Sequence, residues 1–465
     1  MLTLSNKFQN SIIALQFALV TILSIILFLL SSKTGFSSRN ILLLKICIFI
    51  FFSFYTSYSV GFQLVNPFVW FNFIFTLYSI STPILYLAGD HSYLPTFSKT
   101  LDLEFFGLIS FSVFSKQKVY SFKKLGMESI NKMAVGNTIF FYLCLSVIFV
   151  SLYYQITSGI TNRYQKILNY SPLYYVDFLY FFLNISICIY LLNIKRRKRK
   201  LRYLYIFLYF GFLLLSFLIS GHRNIVFRYI LILVLLYDTM WEKIGKIKLL
   251  IATFVLILIS TVSNDYKMYL LKSNNNGIIE TNTDLLYTFF GSELRTPSEN
   301  LSTVLMSVPS EIDFFYGETF IWDISQGLSI GFISSRTNFQ NTSVWFTKTF
   351  FPSIWDLGGG VGFTLVGTAF INFGLFGVIA IFSLLGMINK VLYKKSSYSA
   401  WWFVLYINFI PIVIYSIRSD FSVLLAQTLK HTLVPMFFLS ILSNVIIKLS
   451  SKKIIKRQSN EHLYF

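Results

Sequence analysis

The stretch Leu173–Arg202, LYYVDFLYFFLNISICIYLLNIKRRKRKLR, decides the fold class. Its first part, Leu173–Leu192, carries a single charged residue, Asp177, and has the ~20-residue length an α-helix needs to cross roughly 30 Å of hydrocarbon. Directly after it, Lys195, Arg196, Arg197, Lys198, Arg199, Lys200 and Arg202 nearly fill one connection before the next apolar run begins. Runs of similar length recur at Ser11–Leu30, Val135–Tyr154 and Ala400–Ile417. A soluble core does not demand this length so many times. Composition agrees: 55% of the 465 residues are hydrophobic and 12% charged, against roughly 25% charged in ordinary globular domains.

The chain therefore reads as an all-α polytopic membrane protein of about twelve spans. They fall near 10–30, 41–60, 67–88, 102–115, 135–154, 173–192, 203–221, 224–240, 248–263, 361–388, 400–417 and 421–447. Four parts follow: an N-terminal bundle of about nine spans over 1–263, a long connection over 264–360, about three further spans over 361–447, and a basic tail over 448–465. The first run lacks a small-x-small cleavage pattern, so its helix is expected to stay. Glu461–Phe465 reads equally as a protease-site scar or as a native end.

Lys and Arg collect in short cytoplasmic loops. Fixing Lys195–Arg202 inside places Lys116–Lys132, Trp241–Lys248, Lys390–Lys395 and Lys448–Arg457 inside too, and all are basic. Both termini are then cytoplasmic, and the 264–360 connection lies outside. The excess of 39 Lys plus Arg over 19 Asp plus Glu is accounted for by topology without a nucleic-acid partner. Cys47, Cys144 and Cys188 all sit in expected spans and read as core residues. No HExxH, P-loop or Cys-based metal spacing occurs, so neither metal nor cofactor is expected.

An ionisable residue within a span costs about 2.5–3.5 kcal/mol, so it faces a partner or a cavity. His222 and Arg223 open one expected span, Arg228 lies about 7–8 Å further in, and Arg418 with Asp420 marks a helix junction. Lys430 and His431 go deeper, where a kink before Pro435 would supply partners. Snorkelling of Arg223 and Arg418, and an internal hydrogen-bonded Lys430–His431 pair, compete with a polar chamber open to the outside. The long connection adds Glu293, Arg295, Glu299, Glu318, Asp323 and Arg336, and stretches near 284–308 and 313–328 suit helices lying on the membrane surface. Its Trp322, Trp345 and Trp355 suit interfacial anchoring or stacking on sugar. Planar Arg forks bind phosphate oxygens in pairs. Gly358, Gly359, Gly360 and Gly362, then Gly367, Gly374 and Gly377, permit either tight turns beside a ligand or close helix packing.

In order along the chain stand Ser220-Gly221-His222-Arg223-Asn224, a long connection, Gly358-Gly359-Gly360-Val361-Gly362, Phe370-Ile371-Asn372-Phe373-Gly374-Leu375-Phe376-Gly377, and Arg418-Ser419-Asp420. This arrangement, over about 210–425, resembles the Wzy-type O-antigen polymerases of bacteria. Members of that family often carry an acid shortly before Asn-Phe-Gly, where this chain has Gly367-Thr368-Ala369-Phe370. The resemblance implies a GT-C-like architecture in the cytoplasmic (inner) membrane and glycosyl transfer on its outer face. Donor and acceptor would both be polyprenyl-diphosphate-linked oligosaccharides. His222, Arg223, Arg228, Arg295, Arg336, Arg418 and Lys430 would then meet the diphosphate, and the base would be Asp420, Glu293 or His431, in that order. The resemblance leaves a docking chain-length regulator open. A ligase acting on the same lipid, and a flippase for it, are the rival readings. The missing internal repeat argues against the flippase.

Overall fold

The computed structural model describes residues 16–27, 29, 38–89, 96–117, 119–122, 125–158, 173–194, 199–220, 223–241, 243–245, 290, 294–328, 341–356 and 360–461. Among these, helices and their connections account for everything except one isolated bridge between Gly126 and Ser399. Six helices are long and apolar enough to cross a membrane: Arg39–Ser59, Pro67–Leu87, Ile130–Ser158, Leu365–Ser396, Ala400–Ile417 and Phe421–Leu449. Three shorter apolar helices, Gln16–Leu27, Leu179–Asn193 and Tyr203–Phe217, fall on other expected spans. The expected spans at 102–115 and 224–240 are also helical, but their helices carry Lys99, Asp102 and Glu104, or Arg223, Arg228 and Asp238, which lower their hydropathy. The expected span at 248–263 lies outside the described residues.

The helices are α1 (Gln16–Leu27), α2 (Ser38–Ser59), α3 (Pro67–Leu87), α4 (Phe97–Ser115), α5 (Glu128–Ser158), α6 (Leu173–Ile194), α7 (Arg199–Ser220) and α8 (Arg223–Met240). After them come α9 (Thr296–Ser307), α10 (Glu318–Leu328), α11 (Thr342–Phe350), α12 (Pro352–Asp356), α13 (Leu365–Ser396), α14 (Ala400–Ile417), α15 (Phe421–Thr428), a π-helical turn (Leu429–Leu433) and α16 (Val434–Glu461). The chain divides into two compact units. Unit 1 takes Met1–Tyr120, Asn276–Tyr393 and Val413–Ala426; unit 2 takes Ser121–Asn275, Lys394–Ile412 and Gln427–Phe465.

In unit 1, α3 starts at Pro67, whose missing N–H costs nothing there, with Asn66 capping the Phe68 N–H at 3.0 Å. Its core is aromatic, with Phe71 stacked on Phe111 of α4 at 3.6 Å. Several polar groups buried among these rings are paired. Lys45 meets Asp102 at 2.6 Å and Ser98 at 2.8 Å, and Asn72 joins Thr56 to Ser112. Helix α9 packs on α3 and α4, with Ser298 donating to Glu104 at 2.9 Å.

Helix α13 is broken inside, at Phe373 (φ −141°, ψ 23°) and Gly374 (φ +59°, ψ −144°). The break frees carbonyls that a regular helix would use itself. Those of Ile371 and Asn372 accept the Phe315 and Tyr316 N–H groups at 2.9 and 3.1 Å. The Asn372 side chain accepts the Gly317 N–H and donates to Thr319 and to the Thr368 carbonyl. Asn-Phe-Gly thus stitches residues 315–319 of the long connection to α13. Helix α10 follows at once, and its polarity is inverted relative to a soluble helix. Thr319, Asp323 and Gly327 point inward, while Ile321, Ile324 and Leu328 are exposed.

In unit 2, α5, α6, α7 and α8 pack together with the π turn and α16. The expected kink before Pro435 takes the form of the π turn. Pro435 has no N–H, and in a regular helix its ring would crowd the His431 carbonyl, so the wider turn relieves both conflicts.

Candidate active site

In unit 2 the π turn carries Lys430 and His431 on a segment that widens just where α6 and α8 approach it. The His431 ring lies flat on Phe181 of α6, with centroids 4.1 Å apart and planes 13° apart. The Arg228 guanidinium of α8 stands 4.7 Å over the same Phe181 ring, a cation–π contact. Arg228 is buried. It donates to Asn224, one turn back on its own helix, at 3.2 Å, and to Gln427, one turn ahead of His431. These two bonds orient the guanidinium. Asn184, Asn408 and Thr432 complete a small cleft with Arg228 and His431, floored by Pro411 and Ile412.

In unit 1, Arg418 ends α14 with its guanidinium 4.9 Å over the Tyr415 ring and within electrostatic reach of Tyr78 of α3. Against its backbone lies Gly362. A Cβ at Gly362 would stand 3.0 Å from the Arg418 carbonyl, whereas one at Gly360 would meet open space. Asn300 of α9 donates to the Gly362 carbonyl, and the Thr347 hydroxyl of α11 accepts the Val361 N–H at 3.0 Å. Of the two roles open to these glycines, Gly362 therefore serves close backbone approach. Arg295 stands just before α9 and holds Glu299, and its own carbonyl accepts from Thr82.

Asp420 is fully buried, and its carboxylate is occupied. Oδ1 accepts the Ser422 hydroxyl at 2.6 Å and the Val423 N–H at 3.0 Å, while Oδ2 accepts the Ser343 N–H at 3.2 Å. It is the N-cap of α15 and at the same time a partner for the first turn of α11. Asp323 accepts the neighbouring Thr342 N–H at 2.9 Å. Burial first, and Asp420 second, push the Asp323 carboxyl well above the usual carboxylate range, against the pull of donors at Thr342 and Phe421.

A family model described as O-antigen polysaccharide polymerase Wzy matches residues 13–450, nearly the whole chain. The chain belongs to that family. No curated protein and no solved structure matches it. It is thus a multi-pass membrane polymerase of the glycosyltransferase type, acting in O-antigen repeat-unit polymerisation on lipid-linked oligosaccharides at the membrane.

For this Wzy polymerase the structure brings Arg228 and His431 to one cleft in unit 2, with Lys430 next to His431 on the π turn, and Arg295, Arg418 and Asp420 each have a defined place in unit 1. Arg223 opens α8, while His222, Glu293 and Arg336 lie outside the described residues. Sequence reasoning missed the groups that hold Arg228. Asn224 precedes it by four residues, a spacing that puts the two side chains on one helix face and was readable. Phe181 and Gln427 come from distant segments, and no local pattern announces them. Asp323 was visible only as one of six charges singled out in the long connection.

Proposed function

We propose that this polymerase transfers the growing glycan from polyprenyl diphosphate to the non-reducing end of a new lipid-linked unit, at the outer face of the cytoplasmic membrane. In this reading the chain has about twelve spans in a GT-C-like arrangement, both termini are cytoplasmic, and the 264–360 connection faces outward. The bond from the anomeric carbon to the diphosphate oxygen breaks, the electron pair leaves with polyprenyl diphosphate, and the acceptor hydroxyl oxygen bonds that carbon. Its proton passes to a base.

The observation that carries this assignment is the pairing of Arg228 and His431 on one cleft. An oriented, buried guanidinium is where growing charge on a leaving diphosphate is best stabilised, because a low-dielectric surround strengthens the contact and no reorganisation is needed. The imidazole beside it takes the acceptor proton. Lys430, next to His431 on the π turn, and Arg223, at the start of α8, supply further cations for the lipid diphosphates, with no metal ion called for. Asp420 serves as a positioning residue: three donors already occupy its carboxylate.

The test is complementation of a host deleted for the gene, with its surface polysaccharide displayed on a gel. Arg228→Ala should collapse the ladder to a single repeat unit. Arg228→Lys should restore only short chains, because an ammonium lacks the planar fork. His431→Ala should slow extension by about 10²–10⁴-fold, as expected on removal of a general base. A full ladder from Arg228→Ala at wild-type protein level would refute the assignment. Loss of even the single unit on gene deletion would point to a ligase or flippase.

A further inference from the structure

Unit 2 contains a second cleft that the polymerisation reading does not use. It lies where α5 and α14 begin and α16 runs past them, and encloses about 520 Å³. Ser440 on its wall is nine residues beyond His431 on the same helical segment, roughly 13 Å along the axis. Lys132 and Glu128 of α5, Ser399 and Trp401 at the start of α14, and Ser440 and Asn444 of α16 line it.

Its walls are fixed. The Gly126 N–H donates to the Tyr398 carbonyl at 3.0 Å and the Ala400 N–H donates back to the Gly126 carbonyl at 3.1 Å, tying the lead-in of α5 to that of α14. Helices α5 and α16 touch at Gly136, where a Cβ would stand 2.6 Å from the Ser443 hydroxyl oxygen, and that hydroxyl donates to the Met133 carbonyl at 3.1 Å. A side chain at 136 would have to displace the Ser443 hydroxyl and press on its backbone, 3.2 Å away.

The lining has a definite chemistry. Lys132 and Glu128 form an ion pair at 2.8 Å with both side chains more than half exposed, so each can turn to a ligand at little cost. Two helices start at the cleft, and the positive ends of their dipoles add to the Lys132 charge in favouring an anion. Serine hydroxyls and the Asn444 amide offer further hydrogen bonds. From the same end, exposed apolar stripes lead away: Val135, Ile139, Tyr142 and Leu143 along α5, and Ile441, Phe438 and Phe437 along α16. Ile130–Ser158 of α5 and Phe421–Leu449, which takes in the start of α16, are long and apolar enough to cross the bilayer, and in the proposed reading these stripes face hydrocarbon.

A polar, cation-bearing cleft at the head of two hydrocarbon-facing stripes fits a two-part ligand. We propose that it binds the phosphate-bearing headgroup of a glycerophospholipid, with phosphate at Lys132 and the acyl chains along α5 and α16. A headgroup ammonium, where one is present, meets Glu128.

The full-length protein is extracted with its surrounding lipid, washed in detergent, and its retained phospholipid counted by mass spectrometry against protein. Wild type should keep tightly held phospholipid. Lys132→Glu reverses an exposed charge, and Asn444→Trp fills the cleft from its exposed side, so neither burdens folding. Each should lower retention by about tenfold, the consequence of losing ~1.4 kcal/mol of binding. Equal retention in all three proteins would overturn the proposal. So would displacement of the lipid by millimolar inorganic phosphate, which would identify the cleft as a site for soluble anions instead. Neither readout depends on polymerisation, so failure of the His431 assignment and failure of this one are separable.

Discussion

Two carboxylates, Asp323 and Asp420, converge on adjacent N–H groups in the first turn of α11, and their environments give them different tasks. Asp420 also caps α15, so its removal strips donors from two helices at once. Asp420→Ala should cost about 2–3 kcal/mol, the sum of a lost cap and a buried donor left unmet, seen as a lower melting temperature of the purified protein. Asp323 differs, because burial and its neighbour favour the protonated form. Its folded pKa lies above the unfolded one. The folded state therefore holds this proton to higher pH, and the stability tied to it is complete below the unfolded carboxyl value and is lost as pH rises through the folded pKa. Asp323→Asn, which mimics the protonated acid, should melt within about 1 kcal/mol of wild type near neutrality and should flatten the decline in melting temperature toward alkaline pH. An unchanged slope in the variant would remove the assignment of the proton. In the sequence Asp420 stood out as a candidate base because it neighbours Arg418. Nothing local could reveal that Ser343, 77 residues earlier, would occupy it.

At the scale of elements, hydropathy announces where α2, α3, α5, α14 and α16 run, since length and charge content alone separate membrane-crossing helices from the rest. It does not announce the break in α13, because Phe373 and Gly374 are as apolar as their neighbours. What the sequence did show was Asn-Phe-Gly as a segment worth singling out, and the structure gives its physical reason. At Gly374 φ is +59° with ψ −144°, a conformation essentially reserved for glycine, and any other residue there costs about 1–3 kcal/mol. The break also carries the Ala369 carbonyl toward Gly377, where a Cβ would stand 2.2 Å from it. Gly374→Ala and Gly377→Ala should both lower the melting temperature and expose the 313–319 segment to limited proteolysis, since the Phe315 and Tyr316 N–H groups dock on this turn. Gly360→Ala, which meets open space, should do neither and serves as the control. Helix α10 likewise could be placed from the sequence but not oriented. Its apolar residues at 321, 324 and 328 look like a core stripe until Thr319 and Asp323 are seen to be the ones with buried partners.

Over the whole molecule, the charge pattern of the loops makes a statement that reaches the chemistry. In the proposed reaction donor and acceptor are both lipid-linked, so the face on which Arg228 and His431 open would decide which pool of lipid-linked oligosaccharide they meet. Helix α8 begins at Arg223, with Arg228 about 7–8 Å inside that end by helical rise, and the connection preceding α7 contains the Lys195–Arg202 cluster. Basic residues are retained on the cytoplasmic side, so in the proposed orientation the cluster sets the start of α7 inside and its end, together with the start of α8, outside. The cleft proposed to take a phospholipid would lie at the opposite face on the same logic, since the Lys390–Lys395 connection leads directly into Ser399 and Trp401 on its wall. A reporter active only in the cytoplasm, fused after Lys200, should be active, and one fused within 264–360 should be inactive there but active when exchanged for a reporter that needs export. Replacing the seven basic residues of 195–202 by glutamine should weaken that preference and lower ladder formation in parallel. Reversed reporters would place Arg228 and His431 at the cytoplasmic face, and transfer on the outer face would fall with the orientation.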